Sequence, residues 1–438
     1  MELFAIFGMV VALVVMCLLI FRGYHALIAA IVASIIIALS GQIPLATALN
    51  TNYMTGFVGF IQSNFLVFLA GALLGKVYEI TGGASALAKG IVRVAGQKFA
   101  LLSIPAAVGL MAYCGIHGYV LCFAIYPIAV EVYRSADIPR RFIPAAIMLG
   151  ACTFAGFGPG NPQLTNVAMA NALGTPLTAA FGISVVLTVF QLVLSFALLY
   201  WVCARAKAKG EHFIARDSDP VDAVDRKLPS PLVAFIPLLI TLIGINLKNS
   251  DGAPLTPTSF GVFLGTVLAY LVLRGYRVDK DSLVTTHFVG ALNGTVGATI
   301  ATSAMVAVGT VARSSAGWET LINALTSIPG PALLSASVGG FLIGGICASG
   351  TGAAALCGPI FGPIYSAQGV ALESLHRTLI ISNLAGGTLP NNGMINTVTN
   401  GICNDTYKEC YGPVFITIPF TMICTTILAI ILFTVFGG

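Results

Sequence analysis

An apolar segment near the end of the chain is interrupted by Gly386-Gly387-Thr388-Leu389-Pro390-Asn391-Asn392-Gly393-Met394-Ile395-Asn396-Thr397. Glycine, proline and a series of amides and hydroxyls cannot maintain an unbroken helical hydrogen-bond ladder. In a bilayer, the freed N–H and C=O groups are tolerated only where they line a cavity or a substrate. We call this run the second break and interpret it as part of a binding site.

A similar run, the first break, occurs earlier as Phe157-Gly158-Pro159-Gly160-Asn161-Pro162-Gln163-Leu164-Thr165-Asn166. From Pro159 the offsets +2, +6 and +7 fall on Asn161, Thr165 and Asn166, and from Pro390 they fall on Asn392, Asn396 and Thr397. Paired interrupted helices in two halves of a chain point to a transporter's binding site. The alternative is two proline kinks whose polar residues pack between helices, and the matched offsets favour the site.

Composition identifies an integral membrane protein. Of 438 residues, 57% are hydrophobic and 8% are charged, against about 25% charged in soluble domains. This excludes a soluble enzyme, and the net charge of +5, spread over loops, indicates membrane orientation rather than nucleic-acid binding. The ten cysteines show no disulfide framework or metal-ligand spacing. The N-terminus lacks a basic region and a cleavage site, so we expect its apolar run to be retained as a span.

The apolar runs predict two repeats, each with five crossings and one re-entrant hairpin. Residues 1–203 form the first repeat, 204–230 a solvated cytoplasmic connector, and 231–438 the second repeat. Residues 100–132 and 332–365 each contain two apolar pieces too short to cross a bilayer, which predicts hairpins. Their tips are the first tip, Cys114–His117, and the second tip, Ala348–Gly352.

Internal similarity supports the repeat. Ala100-Leu101-Leu102-Ser103 recurs as Ala332-Leu333-Leu334-Ser335. Pro127 followed by Asp137, Arg140 and Arg141 recurs as Pro363 followed by Glu373, His376 and Arg377. An odd number of crossings inverts the second copy, as in inverted-repeat transporters. The positive-inside rule places both termini outside, and it places the basic segment 76–98 in the cytoplasm with an interfacial helix over 84–94.

These residues resemble the gluconate permease (GntP) family, within a larger superfamily of ion transporters. The resemblance covers essentially the whole chain and is sharpest over residues 126–145, 159–163 and 389–408. It implies a secondary active importer of small hydroxylated carboxylates in the cytoplasmic (inner) membrane, usually coupled to protons. It also implies an elevator mechanism, a homodimer, and a substrate enclosed by hairpin tips and helix breaks.

The chain departs from this family at three informative positions. Relatives commonly carry an acidic residue near the position of Gly387 and a histidine at that of Asn391, whereas this chain is neutral at both. Conversely, His117 stands at the first tip, where relatives have small apolar residues. The departures leave the family resemblance intact, but they do not support gluconate as the substrate or proton coupling through those two positions.

The predicted site meets a carboxylate with uncharged donors. Helix N-termini at the breaks and tips supply N–H groups and partial positive charge, so no buried arginine is required. The expected substrate-binding residues are His117, Asn161, Gln163, Thr165, Asn166, Ser349, Thr351, Asn392, Asn396 and Thr397, with Pro159, Gly160, Gly387, Pro390 and Gly393 shaping the breaks. The alternative for each side chain is to cap its own break. For His117 the alternative is that the histidine is packed in the core and bonded to backbone, and neither carries a proton nor binds a carboxylate.

The sequence therefore predicts an all-α polytopic transporter that imports a small organic acid anion, such as a gluconate-like sugar acid or a 3-hydroxybutyrate-like acid. The driving cation is H+ by resemblance. Alternatives of the same fold are an Na+-coupled carboxylate symporter and a cation/H+ antiporter. A lipid-modifying membrane enzyme would need clustered acids or histidines within the spans, which the sequence lacks. We expect no catalytic residue, metal or cofactor beyond the coupling ion, and the bilayer and a second copy as partners.

Overall fold

The computed structural model describes residues 2–22, 24–96, 99–116, 118–216, 219, 227–247, 249, 255–277 and 281–436. Over these residues the chain is helical, without strands. The first half contains α1 (Glu2–Phe21), α2 (Ala26–Ser40), α3 (Met54–Ile80), α4 (Gly83–Ala95), α5 (Ala100–Tyr113), α6 (Gly118–Ser135), α7 (Ile143–Cys152), α8 (Phe154–Phe157), α9 (Leu164–Leu173) and α10 (Phe181–Ala208). The second half contains α11 (Pro231–Asn246), α12 (Thr258–Leu273), α13 (Val289–Arg313), α14 (Trp318–Thr326), α15 (Ala332–Cys347), α16 (Gly350–Ala367), α17 (Leu372–Gly387), α18 (Gly393–Asn396), α19 (Tyr407–Thr417) and α20 (Pro419–Phe436).

The predicted apolar segments are confirmed as helices. Three of the spans predicted from apolar runs, residues 57–74, 178–203 and 414–436, differ from the observed helices at their ends. Helix α3 continues six residues past Leu74 to Ile80, where Lys76 and Glu79 form an ion pair of 2.5 Å one turn apart. Helix α10 continues to Ala208, because basic residues in its last turn favour a helix C-terminus. The last predicted span is divided into α19 and α20 at Pro419, which has no N–H to donate.

The two halves pack against each other through matching helices. Helix α3 of the first half lies against α13 of the second. Helix pair α1–α2 places α2 on α13, and helix pair α11–α12 places α12 on α3. A π-helical segment precedes each long helix, Thr47–Tyr53 before α3 and Leu283–Phe288 before α13. Corresponding elements therefore make corresponding contacts.

Each hairpin belongs to one of two buried apolar clusters. In the first cluster α5 packs against α6 and α7, with contributions from α4 and α11. In the second cluster α15 packs against α16 and α17, with contributions from α1, α2 and α13. Helix α16 also packs against α9, which follows the first break. The second hairpin is thus in contact with the first break.

Several helices present large apolar side chains outward. On α10 the exposed residues include Phe181, Val186 and Val193. Among the described residues, α10, the segment Ser259–Tyr276 and the segment Tyr407–Phe436 are long and apolar enough to cross a membrane, as judged by length and composition. Exposed apolar stripes of this extent are typical of surfaces that face lipid tails.

Candidate substrate site at the helix breaks and hairpin tips

The first break separates α8, which ends at Phe157, from α9, which begins at Leu164. Gly160 adopts φ +78° there, in the left-handed region that glycine tolerates without strain. Asn161 is fully buried and holds the turn together. Its Oδ1 accepts from the N–H of Gln163 at 2.9 Å, and its Nδ2 donates to the carbonyl of Gly158.

The second break is built in the same way around Asn392. Helix α17 ends at Gly387, and the helical chain resumes at Gly393. Asn392 Oδ1 accepts from the N–H of Ile395 at 3.0 Å, and Asn392 Nδ2 donates to the carbonyl of Gly387. Each of the two asparagines with matched offsets from proline therefore binds backbone groups of its own break: Asn392 caps the resuming helix, whereas Asn161 closes the turn that precedes α9.

Side chains of the first break connect it to both hairpin tips. Gln163 Nε2 donates to the carbonyls of Ala112 and Ile116, at the end of α5 and in the first tip. Thr165 Oγ1 lies 3.1 Å from Thr351 Oγ1, in the second tip. The first break is thereby hydrogen-bonded to both tips, although these segments are far apart in the sequence.

The second break also meets both tips. Asn392 Nδ2 donates to the carbonyl of Ala348 at 3.3 Å. A Cβ on Gly118, next to the first tip, would lie 2.6 Å from Cε of Met394. Both breaks and both tips thus meet in one region of the protein.

The remaining predicted residues, apart from Asn166, are Ser349, Thr397, His117 and Asn396. Ser349 caps α16 by accepting from the N–H of Gly352 at 3.1 Å, and Thr397 donates back to the carbonyl of Gly393 at 3.0 Å. His117 and the side chain of Asn396 lie outside the described residues. The side chains of five predicted residues are partly accessible in addition to these bonds: Gln163, Ser349, Thr351, Asn392 and Thr397.

Asn166 is a supporting residue of the first break in this structure. It is fully buried, and its Nδ2 donates to the carbonyls of Asn161 at 2.8 Å and Leu177 at 3.2 Å. Its Oδ1 receives Arg377 Nη1 at 2.9 Å and contacts His376 Nε2 at 3.0 Å. Both ends of the amide are therefore bonded within the protein.

Arg377 was not identified as a site residue by sequence reasoning. It is fully buried on α17, and its Nη1 donates to the carbonyl of Phe157, the first residue of the first break, at 2.6 Å. Its Nε donates to the carbonyl of Ala179 at 2.9 Å, and its Nη2 donates to that of Leu177. Among the described residues no carboxylate lies within ion-pair distance of this guanidinium. The first break is therefore held by a buried cation, where the sequence predicts uncharged donors alone.

The neutral positions of the second break follow from its packing. A side chain on Gly387 would collide with the backbone of Ser349 and Gly350 in the second tip. Asn391 is fully buried and donates to the carbonyl of Gly345 at 2.7 Å. The second break therefore has no space for a carboxylate at residue 387, and residue 391 is used to fasten the break to α15.

The connector is not fully solvated, in contrast to the prediction. Asp219 is buried and receives Arg140 Nη2 at 2.7 Å, while Arg140 Nη1 lies 2.8 Å from Asp405. Burial raises the pKa of Asp405. Burial acts in the same direction on Asp219, but hydrogen bonds from Arg140 and from the backbone of Arg216 outweigh it and lower the pKa of that carboxyl. Three segments distant in the sequence meet here, so local sequence did not reveal the contact.

Interrupted helices facing hairpin tips, surrounded by outward apolar helices, define an integral membrane protein of the transporter class. Comparison with known proteins agrees. The sequence profile of the GntP family permeases matches residues 3–252. The chain is similar to YxjC of Bacillus subtilis (strain 168), named an uncharacterized transporter, at 28% identity over 93% of this chain and 95% of that protein. It is also similar to an uncharacterized transporter of Haemophilus influenzae, at 23% identity over 72% of each chain.

A solved structure shares the fold. The YdaH transporter of Alcanivorax borkumensis superposes with a TM-score of 0.57 at 15% identity, over 90% of this chain and 89% of that one. At this identity the likeness concerns the fold alone. From the sequence match, the chain belongs to the GntP permease family.

Proposed function

We propose that this permease is a secondary active transporter that imports a small hydroxylated carboxylate across the cytoplasmic membrane, driven by a cation gradient. The observation that supports it most is the convergence of the breaks and tips through the Thr165–Thr351 and Asn392–Ala348 contacts. Helices α6, α9 and α16 begin in this region, and their N-terminal N–H groups attract anions. The accessible amides and hydroxyls suit substrate hydroxyls, because they both donate and accept.

We further propose an inverted repeat that works as an elevator in a homodimer. Two observations support a repeated architecture. The contact of α2 with α13 matches that of α12 with α3, and a π-helical segment precedes each of the long helices α3 and α13. Residues 1–203 and 231–438 are the proposed repeats. The hairpins and breaks would move as one body against the long helices, as the resemblance implies.

The substrate class is tested by an uptake screen in proteoliposomes. We expect hydroxycarboxylates to accumulate under an imposed cation gradient, and simple carboxylates without hydroxyls to accumulate less, because the site's amides would then lack partners. Sodium and proton gradients are imposed separately. Exchange of cations without any organic substrate would instead identify a cation/H+ antiporter of the same fold.

The proposed orientation is tested by cysteine labelling of intact cells. Lys209 is exposed at the end of α10, whereas Asp219 in the same connector is buried. We expect Lys209→Cys to resist an impermeant thiol reagent added from outside, because the connector is placed in the cytoplasm. Gln368→Cys, on the exposed turn between α16 and α17, should label readily. Labelling of Lys209→Cys without labelling of Gln368→Cys would reverse the proposed orientation in the membrane.

Cation coupling is expected to bypass the second break, because Gly387 and Asn391 cannot titrate there. Protons could be carried by His117, whose unperturbed pKa of about 6.5 lies in the working range, or by the substrate acid itself. Sodium could be held by the carbonyls and hydroxyls of the tips and breaks. Uptake under a pH gradient, with and without sodium, separates these routes.

His117→Gln then tests the histidine route directly. If His117 carries the proton, we expect this variant to lose proton-driven accumulation and the alkaline limb of its pH profile. Retention of full accumulation with an unchanged profile would make His117 a packing residue.

A further inference from the structure

A groove lies between helix α4 and the start of helix α11. It has a volume of about 910 Å³, at the upper end of the roughly 300–1,000 Å³ typical of small-molecule sites. Its walls are mainly apolar and include Ile91, Val94, Leu110, Leu232 and Phe235. We call it the α4–α11 groove. None of the candidate substrate-binding residues that the structure describes lines it.

The groove carries positive charge on one edge. Lys89 and Arg93 line it, are exposed, and lie one helical turn apart on the same face of α4. Within the part of the chain that the structure describes, neither side chain forms an ion pair. Unpaired cations beside an apolar cavity complement a ligand with an anionic head and an apolar tail.

The N-terminus of α11 adds to this charge. Ser230 lines the groove and caps the helix by accepting from the N–H of Val233 at 3.3 Å. The first turn of this helix of 16 residues therefore supplies a partial positive charge beside the groove. Gly90 makes the close approach possible, because a Cβ there would lie 2.6 Å from Cγ of Pro231.

The groove lies where a membrane surface is expected. Val94 is 90% exposed and Leu232 is 70% exposed, beside the exposed cations of the same edge. Apolar side chains interleaved with lysine and arginine are the pattern of a helix at the interface between headgroups and tails. From Leu232 the outward apolar surface continues along α11 through Ile236 and Ile243. An apolar tail leaving the groove would thus remain on a lipid-facing surface.

We propose that the α4–α11 groove is a binding site for a glycerophospholipid with an anionic headgroup, on the cytoplasmic side of the membrane. The lipid phosphate would be held by Lys89 and Arg93, and part of an acyl chain would occupy the apolar wall. Basic pockets between helices on the cytoplasmic side are a general means of recognising such headgroups. This inference does not depend on the transported substrate, and its test measures lipid binding alone.

The test is native mass spectrometry of the full-length protein in mild detergent, titrated with phosphatidylglycerol or phosphatidylcholine of identical acyl chains. We expect phosphatidylglycerol to be retained at least tenfold more strongly. Lys89→Gln/Arg93→Gln should weaken its retention about twenty-five-fold, from a factor of about five for each charge. The matched control Lys209→Gln/Lys408→Gln removes two exposed charges elsewhere and should change retention less than twofold.

A second variant distinguishes lipid binding inside the groove from simple electrostatic attraction of lipid to the charged surface. Ala95 lines the groove and is partly exposed, so Ala95→Trp fills the cavity while keeping both charges. We expect it also to weaken retention of phosphatidylglycerol by tenfold or more. Equal retention of both lipids by the unmodified protein, equal losses in the control, or full retention by Ala95→Trp would each overturn the proposal.

Discussion

Asn392→Ala is expected to lower the apparent affinity of uptake at least tenfold while the protein remains folded and monodisperse. Asn392 is only partly buried, and its amide joins the second break to the second tip through the carbonyl of Ala348 at 3.3 Å. In the proposed site the amide also binds the substrate carboxylate. Losing a hydrogen bond to such a charged group costs about 1.5–3 kcal/mol, which lowers the affinity tenfold or more. Loss of the cap to Ile395 adds about 1 kcal/mol of local destabilisation.

Two further variants separate these effects. Asn392→Ser keeps a side-chain oxygen that can accept from the N–H of Ile395, but it removes the amide donor. Asn171→Ala removes an exposed asparagine from α9, beyond the first break, and serves as the control. We expect Asn392→Ser to remain defective in substrate affinity and Asn171→Ala to be unaffected. Normal affinity in Asn392→Ala, measured as the concentration giving half-maximal uptake in proteoliposomes, would remove this residue from the site.

Asn161, the counterpart of Asn392 in the first break, is expected to contribute more to stability. Asn161 is fully buried and bonded to Gly158 and Gln163. Asn161→Ala should therefore also abolish or severely weaken uptake, through the altered shape of the break. We expect its thermal midpoint in detergent to fall further than that of Asn392→Ala, because an unpaired buried carbonyl costs about 1–3 kcal/mol. An uptake rate equal to that of the unmodified protein would contradict this.

Helices, hairpins and breaks could be predicted because each depends on local sequence. Apolar runs set the lengths of α5 and α15, and glycine and proline set where α17 ends. The bonds of Asn161 and Asn392 to their own breaks were equally accessible to prediction, because their backbone partners there lie at most five positions away. Information of this kind is present within a short window of sequence.

The environment of Arg377 could not be predicted in this way. Its partners Phe157, Leu177 and Ala179 lie about two hundred residues earlier in the chain. The available signal was the recurrence of Arg141, after Pro127, as Arg377 after Pro363. That recurrence indicates a repeated position, but Arg141 is partly exposed and pairs with Glu211 at 2.6 Å, whereas Arg377 is buried. Residues at matching positions of the two recurring sequence segments thus have different surroundings.

Arg377→Gln is expected to lower both the stability of the protein and its uptake activity. The guanidinium holds Phe157 and Asn166 on the two sides of the first break, at 2.6 and 2.9 Å. It also places a positive charge, without a carboxylate partner among the described residues, beside the break. Glutamine removes that charge and leaves buried carbonyls unpaired, at about 1–3 kcal/mol each. We therefore expect both lower thermal stability in detergent and at least a tenfold loss of affinity for an anionic substrate.

Arg377→Lys distinguishes the charge from the hydrogen bonds. An ammonium keeps the charge but has three donors at one point, so it cannot reproduce the planar set that reaches Phe157, Asn166, Leu177 and Ala179. We expect this variant to lose stability while keeping substrate affinity closer to normal than Arg377→Gln. The control is Arg313→Gln, an exposed arginine at the end of α13. If both Arg377 variants bind the anion normally despite their lower thermal midpoints, the charge has no part in substrate attraction, and Arg377 only braces the first break.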